Sequence, residues 1–430
     1  METLRIVMVS DWFPPRVGGV ETSVEELSRA LSAMGHEVIV VTHQNRARPY
    51  PPTLESRDGY YVYWDRSRLN ARDEVTVDPL TVARAALFVK KNAADVVHSH
   101  GLSSILSFMT AMVASGGAGA PSVLTNHSLV DDSLGWLTRR LLRYALKWPT
   151  RLVGVSRAAA EDVSRISGRP ASVVHNCIDV RRWRSLAGGQ RLDGDPAIVI
   201  TSRLSPRKNP LEIAAVVSLV TRELPRAKFY VVGDGLLREG LREAARARGV
   251  ENDIVMMGTI PRERVASVLS GADAFALTSY RESFGLAVLE AMALGVTPIV
   301  YRSPGVLDLV EGGVSGLIVD GPEGMAKAIV ELYYNETLRS RLSSAAAERA
   351  ESFDCSLIAR RYLDEYRAAE EGKCRDDRRF LVYKAFRLLT GDPVRPCEWS
   401  RDRKWRYHER AREGIVPVIR RGAGRPSLPQ

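Results

Sequence analysis

The most constraining feature of this chain is a change of hydrophobic period near its start. Ile6 to Val9 is a short apolar run bounded by Ser10, Asp11, Pro14 and Pro15. Val20 to Met34 then carries apolar residues at helical spacing and stops at Gly35, and Val38 to Val41 is a second β-branched run. Strand, loop, helix and strand in that order make a βαβ unit, which requires a parallel sheet with a right-handed crossover.

The alternation continues. Strand-like runs are expected at Tyr60 to Tyr63, Val96 to His98, Ser122 to Thr125, Arg151 to Val155 and Ala171 to His175. The stretch Leu186 to Pro196 is rich in Gly, Asp and Arg and lacks periodicity, and the pattern restarts after it. Ala197 to Thr201, Lys228 to Val232, Asp253 to Met257, Ala274 to Thr278 and Thr297 to Tyr301 are strand candidates separated by helical segments that end near Gly249, Gly271 and Gly295. A chain of 430 residues can bury two substantial cores. The expected fold class is therefore α/β, with two Rossmann-like, doubly wound parallel-sheet domains at residues 1–185 and 186–352. A closing helix follows at 353–371, then a basic, aromatic-containing C-terminal extension at 372–430, with a further amphipathic helix expected over Phe380 to Leu389.

Composition excludes several classes. Hydrophobic residues make up 45% of the chain and charged residues 26%, the balance of a folded domain protein. No run reaches the 18 or so apolar residues of a membrane span. The N-terminus runs straight into a strand-like block without the pattern of a secretory leader, which points to a cytoplasmic protein. Cys177, Cys355, Cys374 and Cys397 include no CxxC pair, so they are expected to be inert, with neither a zinc site nor a disulfide framework. The net charge of +10 is concentrated at one end: residues 373–430 hold 16 Lys and Arg against 7 Asp and Glu, whereas the other 372 residues hold 45 against 44. The extension could meet anionic lipid or a partner protein, with nucleic acid the weakest choice; a solvated extension packing on the body is the plain alternative.

In open α/β sheets the ligand lies beyond the carboxyl ends of the strands. After the first strand, Gly18 and Gly19 leave bare backbone N–H groups just ahead of a helix, a place that can receive an anion; a simple tight turn is the alternative. A Walker sequence is absent and so is a complete GxGxxG, which weakens a dinucleotide oxidoreductase. His98 and His100 would share a strand face, but no third ligand at recognisable spacing accompanies them, and His127 reads as a hydrogen-bond donor in a cleft. Arg203 and Lys208 follow a strand and precede a helix expected near Asn209. Together they could hold and neutralise a departing diphosphate without a metal ion. Gly233, Asp234 and Gly235 repeat the bare-backbone theme. Glu282 and Glu290, with seven residues between them, are too widely spaced for a glycosidase pair on one helix, but suit an extended ligand with two polyol groups.

In order, Gly18-Gly19-Val20-Glu21, His127, Arg203 with Lys208, Gly233-Asp234-Gly235 and Glu282 to Glu290 resemble the motif series of the family 4 glycosyltransferases, over about residues 4–371. Met8 to Pro14, His98 to His100 and Asn126 to Leu129 are most similar in wording to the members that transfer N-acetylglucosamine in glycosylphosphatidylinositol synthesis. The resemblance implies a GT-B fold with the two domains facing a cleft, acceptor mainly on the first domain and nucleotide-sugar mainly on the second. It implies a retaining, metal-independent transfer with no cofactor beyond the donor. Glu290 would hold the ribose hydroxyls, Arg203 and Lys208 the diphosphate, and Glu282 with the backbone of Ser283, Phe284 and Gly285 the donor sugar. Gly19 would border the diphosphate and His127 would lie at the reacting sugar. The expected donor is UDP-N-acetylglucosamine and the expected acceptor lipid-linked or of inositol type, at the cytoplasmic membrane face. GDP-mannose or UDP-glucose is the alternative donor, and a companion subunit is implied by the same relatives.

Trp136 to Trp148 sets Leu137, Leu141, Leu142, Ala145 and Leu146 beside Arg139, Arg140, Arg143 and Lys147. That pattern fits a helix on an anionic membrane surface, with ordinary packing as the alternative. From another class, a non-catalytic scaffold would have little reason to retain Arg203, Lys208, Glu282 and Glu290 together.

Overall fold

Two largely parallel sheets organise the computed structural model, which describes residues 2–45, 53–67, 69–70, 75–115, 120–130 and 135–373. The first contains β1 (Arg5–Val9), β2 (Glu37–Asn45), β3 (Thr53–Arg57), β4 (Tyr60–Ser67), β5 (Val96–His100), β6 (Ser122–Asn126), β7 (Arg151–Gly154) and β8 (Ser172–Val173), in the order β3-β4-β2-β1-β5-β6-β7-β8. The second contains β9 (Ala197–Thr201), β10 (Lys228–Val232), β11 (Ile254–Gly258), β12 (Ala274–Leu277), β13 (Pro298–Tyr301) and β14 (Leu317–Val319), in the order β11-β10-β9-β12-β13-β14. The strand order reverses between β1 and β5 and between β9 and β12, and these switch points are where a doubly wound sheet opens a ligand crevice.

The sequence pattern located the central strands because a parallel sheet covered on both faces demands continuous apolar runs. Every residue of β5 and of β6 is buried. β3 and β14 were not anticipated. β3 is a polar edge strand, TLESR, paired antiparallel to β4 through a turn in which Asp58 and Gly59 both have positive φ, so an Asp-Gly signal for the hairpin was present. The helix expected near Asn209 begins at Glu212, because Pro206–Lys208 forms a 3-10 turn and Asn209 is left-handed at φ 51°.

The closing helix is Cys355–Lys373, and it returns to the first domain. Ile358, Ala359, Tyr362, Leu363 and Tyr366 pack with Ile6, Met8, Val38, Val96 and Val123 in one core. Conversely, Val180 and Trp183 of the short helix Val180–Ser185 belong to the core of the second domain. The chain thus crosses between domains twice, and the two crossings bond to each other: Ile178 N donates to Phe353 O (3.3 Å) and Cys355 N to Ile178 O (3.0 Å). Here the expectation of inert cysteines is corrected, because Cys177 and Cys355 form a buried disulfide across the crossings. Their separation of 178 residues hides the pair from any reading of local spacing. The C-terminal extension from residue 374 onward, with its expected helix and with Cys374 and Cys397, lies outside the described residues.

Candidate active site

The loops after β1, β9 and β12 and the turn after β6 converge on the cleft between the domains. Gly18 is the N-cap of the helix Gly19–Ala33, and a Cβ at Gly18 would fall 2.4 Å from the Glu21 carboxylate, which is buried and paired with Arg16. A Cβ at Gly19 would lie 3.7 Å from Leu286, the first residue of the second-domain helix Leu286–Ala293. The N-termini of two helices from different domains therefore meet across the cleft, and both direct the positive end of their dipoles there. Gly285 caps the second of these at φ 99°, a conformation that favours glycine.

Cations surround this junction. Arg203, just after β9, reaches across the cleft to donate to Val17 O (3.3 Å). Lys208 Nζ donates to both carboxylate oxygens of Glu282, at 2.6 and 2.7 Å. Glu282 is fixed in turn: its N–H donates to Ser303 Oγ (2.6 Å) and its carbonyl accepts from Gly305 N (2.9 Å). Arg281, the residue before it, donates to Val130 O of the first domain (3.4 Å). Ser283 is half-buried, whereas the Phe284 ring is buried against Phe353 and against His175 of the first domain. Glu290 lies on the helix Leu286–Ala293 and Glu282 in the loop before it.

Gly233 and Gly235 have a role that spacing did not reveal. Both take positive φ, and a Cβ on either would fall 2.1 and 2.4 Å from Ser202 O and Leu204 O respectively. They let the loop after β10 lie directly on the loop that carries Arg203. Asp234 bonds its neighbours, accepting from Arg238 (2.8 Å) and from Gly235 N (2.7 Å), so its side chain supports the loop.

His127 follows β6 on the first-domain side. It is buried, and its Nε2 lies 3.0 Å from His100 Nδ1. His98, on the same strand face as His100, bonds Tyr366 of the closing helix (2.8 Å) and Thr125 (2.7 Å). Burial pushes His127 down to about 4, with Asn176 opposing, and burial pushes His98 down to about 3, with His127 adding to the effect. Burial likewise holds His100 well below its ordinary value. All three are neutral imidazoles at physiological pH, so His127 enters any chemistry as a neutral donor or acceptor. His100 Nε2 has no hydrogen-bond partner among the described residues.

Several groups at the cleft escaped the sequence reading because only tertiary structure pairs them. Asp308 of the second domain accepts from Arg157 N and Nε (both 2.7 Å) and lies 3.2 Å from His175, both residues of the first domain. Asp11, after β1, bonds His43 (2.8 Å) and Thr76 N (3.0 Å).

Comparison with known proteins agrees with this geometry. A family model described as Glycosyltransferase Family 4 matches residues 17–182, and one described as Glycosyl transferases group 1 matches residues 182–349. The chain is 31% identical over 333 residues to an Arabidopsis thaliana phosphatidylinositol N-acetylglucosaminyltransferase subunit, covering 76% of this chain and 73% of that one. Among solved structures, sucrose-phosphate synthase from Thermosynechococcus elongatus superposes with a TM-score of 0.70 at 18% identity, covering 85% of this chain and 98% of that one. Anabaena Alr3699/HepE in complex with UDP and glucose superposes with a TM-score of 0.65 at 18% identity, covering 84% and 99%.

Proposed function

The chain belongs to the family 4 glycosyltransferases and has their two-domain GT-B fold, and from that premise we propose that it transfers N-acetylglucosamine from UDP-N-acetylglucosamine to a phosphatidylinositol-type lipid at a membrane surface. The observation that carries this reading is the cleft itself, where Arg203, the Lys208–Glu282 pair and the helix starts at Gly19 and Leu286 come together. The activity for which the Arabidopsis relative is named supplies the sugar and the acceptor class.

In the proposed reaction Arg203, Lys208 and the two helix N-termini hold the diphosphate, Glu290 the ribose hydroxyls, and Glu282 with the Ser283 to Gly285 backbone the donor sugar. The bond from the anomeric carbon to the phosphate oxygen breaks, the acceptor hydroxyl forms the new glycosidic bond on the same face, and its proton passes to the departing phosphate oxygen. Charge grows on that phosphate as the bond breaks, so cations fixed beforehand lower the barrier without reorganising. In this reading no metal ion is required. His127, neutral, hydrogen-bonds the reacting sugar.

A lipid acceptor also accounts for the helix Trp136–Ala145, none of whose residues is buried. Trp136, Leu137, Leu141 and Tyr144 are exposed beside Arg140, Arg143 and Lys147, the reverse of a packing helix and the arrangement of a helix resting on anionic lipid. Among the described residues no helix is long and apolar enough to cross a membrane, and the proposed attachment, through this exposed helix, is peripheral. The relative is named as one subunit of its enzyme, and a companion chain is proposed here on that ground.

The reading is tested by measuring binding and UDP or GDP release with UDP-N-acetylglucosamine, UDP-glucose and GDP-mannose. Selective turnover of the first supports it. Selective turnover of UDP-glucose or GDP-mannose replaces the donor while retaining the family reaction, and binding of no nucleotide at all favours the scaffold reading.

A further inference from the structure

Arg262 opens the helix Arg262–Ser270, where a cation faces the positive end of the helix dipole. Two carboxylates offset that placement. Arg262 Nε lies 3.4 Å from Glu290 Oε1, and Nη1 bonds Glu26 of the helix Gly19–Ala33 in the other domain. Its guanidinium also lies over the Trp183 ring, 4.9 Å from the centroid, and Trp183 Nε1 donates to the backbone carbonyl of Glu290 (2.8 Å). Glu26 is buried, and its second oxygen accepts from Asp179 N (3.3 Å), in the first segment that crosses between the domains. A continuous chain of contacts therefore runs from Glu290 through Arg262 and Glu26 to the backbone of the first crossing segment, the hinge between the domains. Burial raises the Glu290 carboxyl while Arg262 opposes that effect, so Arg262 favours the ionised form. It engages one oxygen of Glu290 and leaves Oε2 without a protein hydrogen bond among the described residues.

We propose that Arg262 is a positioning residue that orients the Glu290 carboxylate for the vicinal hydroxyls of a nucleotide ribose and, through Glu26, ties occupancy of that site to the hinge between the domains. This deepens the proposed function and rests on its assignment of Glu290 to the ribose. A planar guanidinium suits the task because it can engage two carboxylates at once in fixed directions, which a lysine ammonium cannot do with the same geometry. Arg262 and Glu26 act through Glu290 and are assigned no contact with the nucleotide itself.

The discriminating readout is selectivity for the ribose hydroxyls, measured by calorimetry on the full chain as the affinity ratio of UDP to 2′,3′-dideoxy-UDP, with the GDP and ADP pairs alongside. Arg262→Gln should cut the wild-type ratio by about tenfold, the scale set by losing one well-oriented hydrogen bond to a charged group. Arg262→Lys should recover only part of it. Glu26→Gln, a nearly isosteric change in the other domain, should lower the ratio by about threefold, and it should diminish the compaction on adding UDP seen by small-angle scattering. In a Glu290→Gln background, Arg262→Gln should have no further effect on the ratio. A purely structural role for Arg262 would weaken UDP and dideoxy-UDP equally, and an unchanged ratio in Arg262→Gln with UDP still bound overturns the proposal while leaving the glycosyltransferase reading intact. If the wild-type chain binds none of UDP, GDP and ADP, the nucleotide-sugar reading fails and this proposal fails with it.

Discussion

Replacing Lys208 with Ala removes the ammonium bonded to Glu282 in the cleft, and its effect can be worked from the geometry. At about 4 Å from a phosphate oxygen and an effective dielectric near 20, a unit charge is worth about 4 kcal/mol. The Lys208 side chain is 31% exposed, and Arg203 and two helix N-termini share the load, which reduces the expected loss to about 2–3 kcal/mol. Turnover at saturating donor should therefore fall by roughly 30- to 150-fold, with a smaller change in donor affinity, because charge on the leaving phosphate peaks in the transition state. The assay is continuous release of nucleotide diphosphate. Removing Lys208 also leaves the buried Glu282 carboxylate unpaired, so some loss of melting temperature is expected. The Lys208→Ala, Glu282→Gln double variant should recover stability without recovering turnover, and added ethylamine should partly rescue the single variant. Turnover of Lys208→Ala within about threefold of wild type, measured below its melting temperature, would refute the assignment of Lys208 to the leaving group.

Stability should depend on acid through the buried histidines. His127 at about 4 and His98 at about 3 bind protons less readily folded than unfolded, so stability is fully present above about pH 6.5 and falls as the pH drops toward 4. Each should contribute about 2 kcal/mol of destabilisation at pH 5, and urea titrations of His98→Asn and His127→Asn should show correspondingly flatter pH profiles. The Cys177–Cys355 disulfide closes a long loop and on chain-entropy grounds should contribute up to about 5 kcal/mol; equal melting temperatures for the oxidised chain and the Cys177→Ala, Cys355→Ala variant would contradict this. Leu137→Glu with Leu141→Glu, both exposed, should leave melting unchanged and reduce co-sedimentation with vesicles containing anionic lipid by about tenfold or more. Equal binding to vesicles would remove the helix Trp136–Ala145 from the membrane-facing reading.

Local period carried the fold a long way. The bounds of β9 and β10 coincide with the expected runs Ala197 to Thr201 and Lys228 to Val232, because each has four consecutive buried apolar residues, the pattern of a strand covered on both faces. Gly18 and Gly19 marked the helix start after β1, where Gly18 is the N-cap, whereas the N-cap role of Gly285 was not read from the sequence. What remained hidden depends on chain segments far apart in sequence. The return of Tyr362 and Tyr366 to the first domain, the Cys177–Cys355 pair and the link from Glu26 through Arg262 to Glu290 each join residues distant along the chain. His100 was visible as part of an i, i+2 pair, but its contact with His127 required β5 and β6 to be neighbours. The sequence offered Gly233 as bare backbone for an anion, and its close approach to Ser202 O adds a packing requirement for glycine that only the fold reveals.

The central claim is tested most directly by incubating the full chain with UDP-[14C]N-acetylglucosamine and vesicles of phosphatidylcholine and phosphatidylinositol in the presence of EDTA. The account predicts transfer of label into the lipid phase in proportion to phosphatidylinositol, an α-linked product, and loss of that transfer in Lys208→Ala and Glu290→Ala. Label that enters lipid equally well with Lys208→Ala and Glu290→Ala, or a β-linked product, would contradict it.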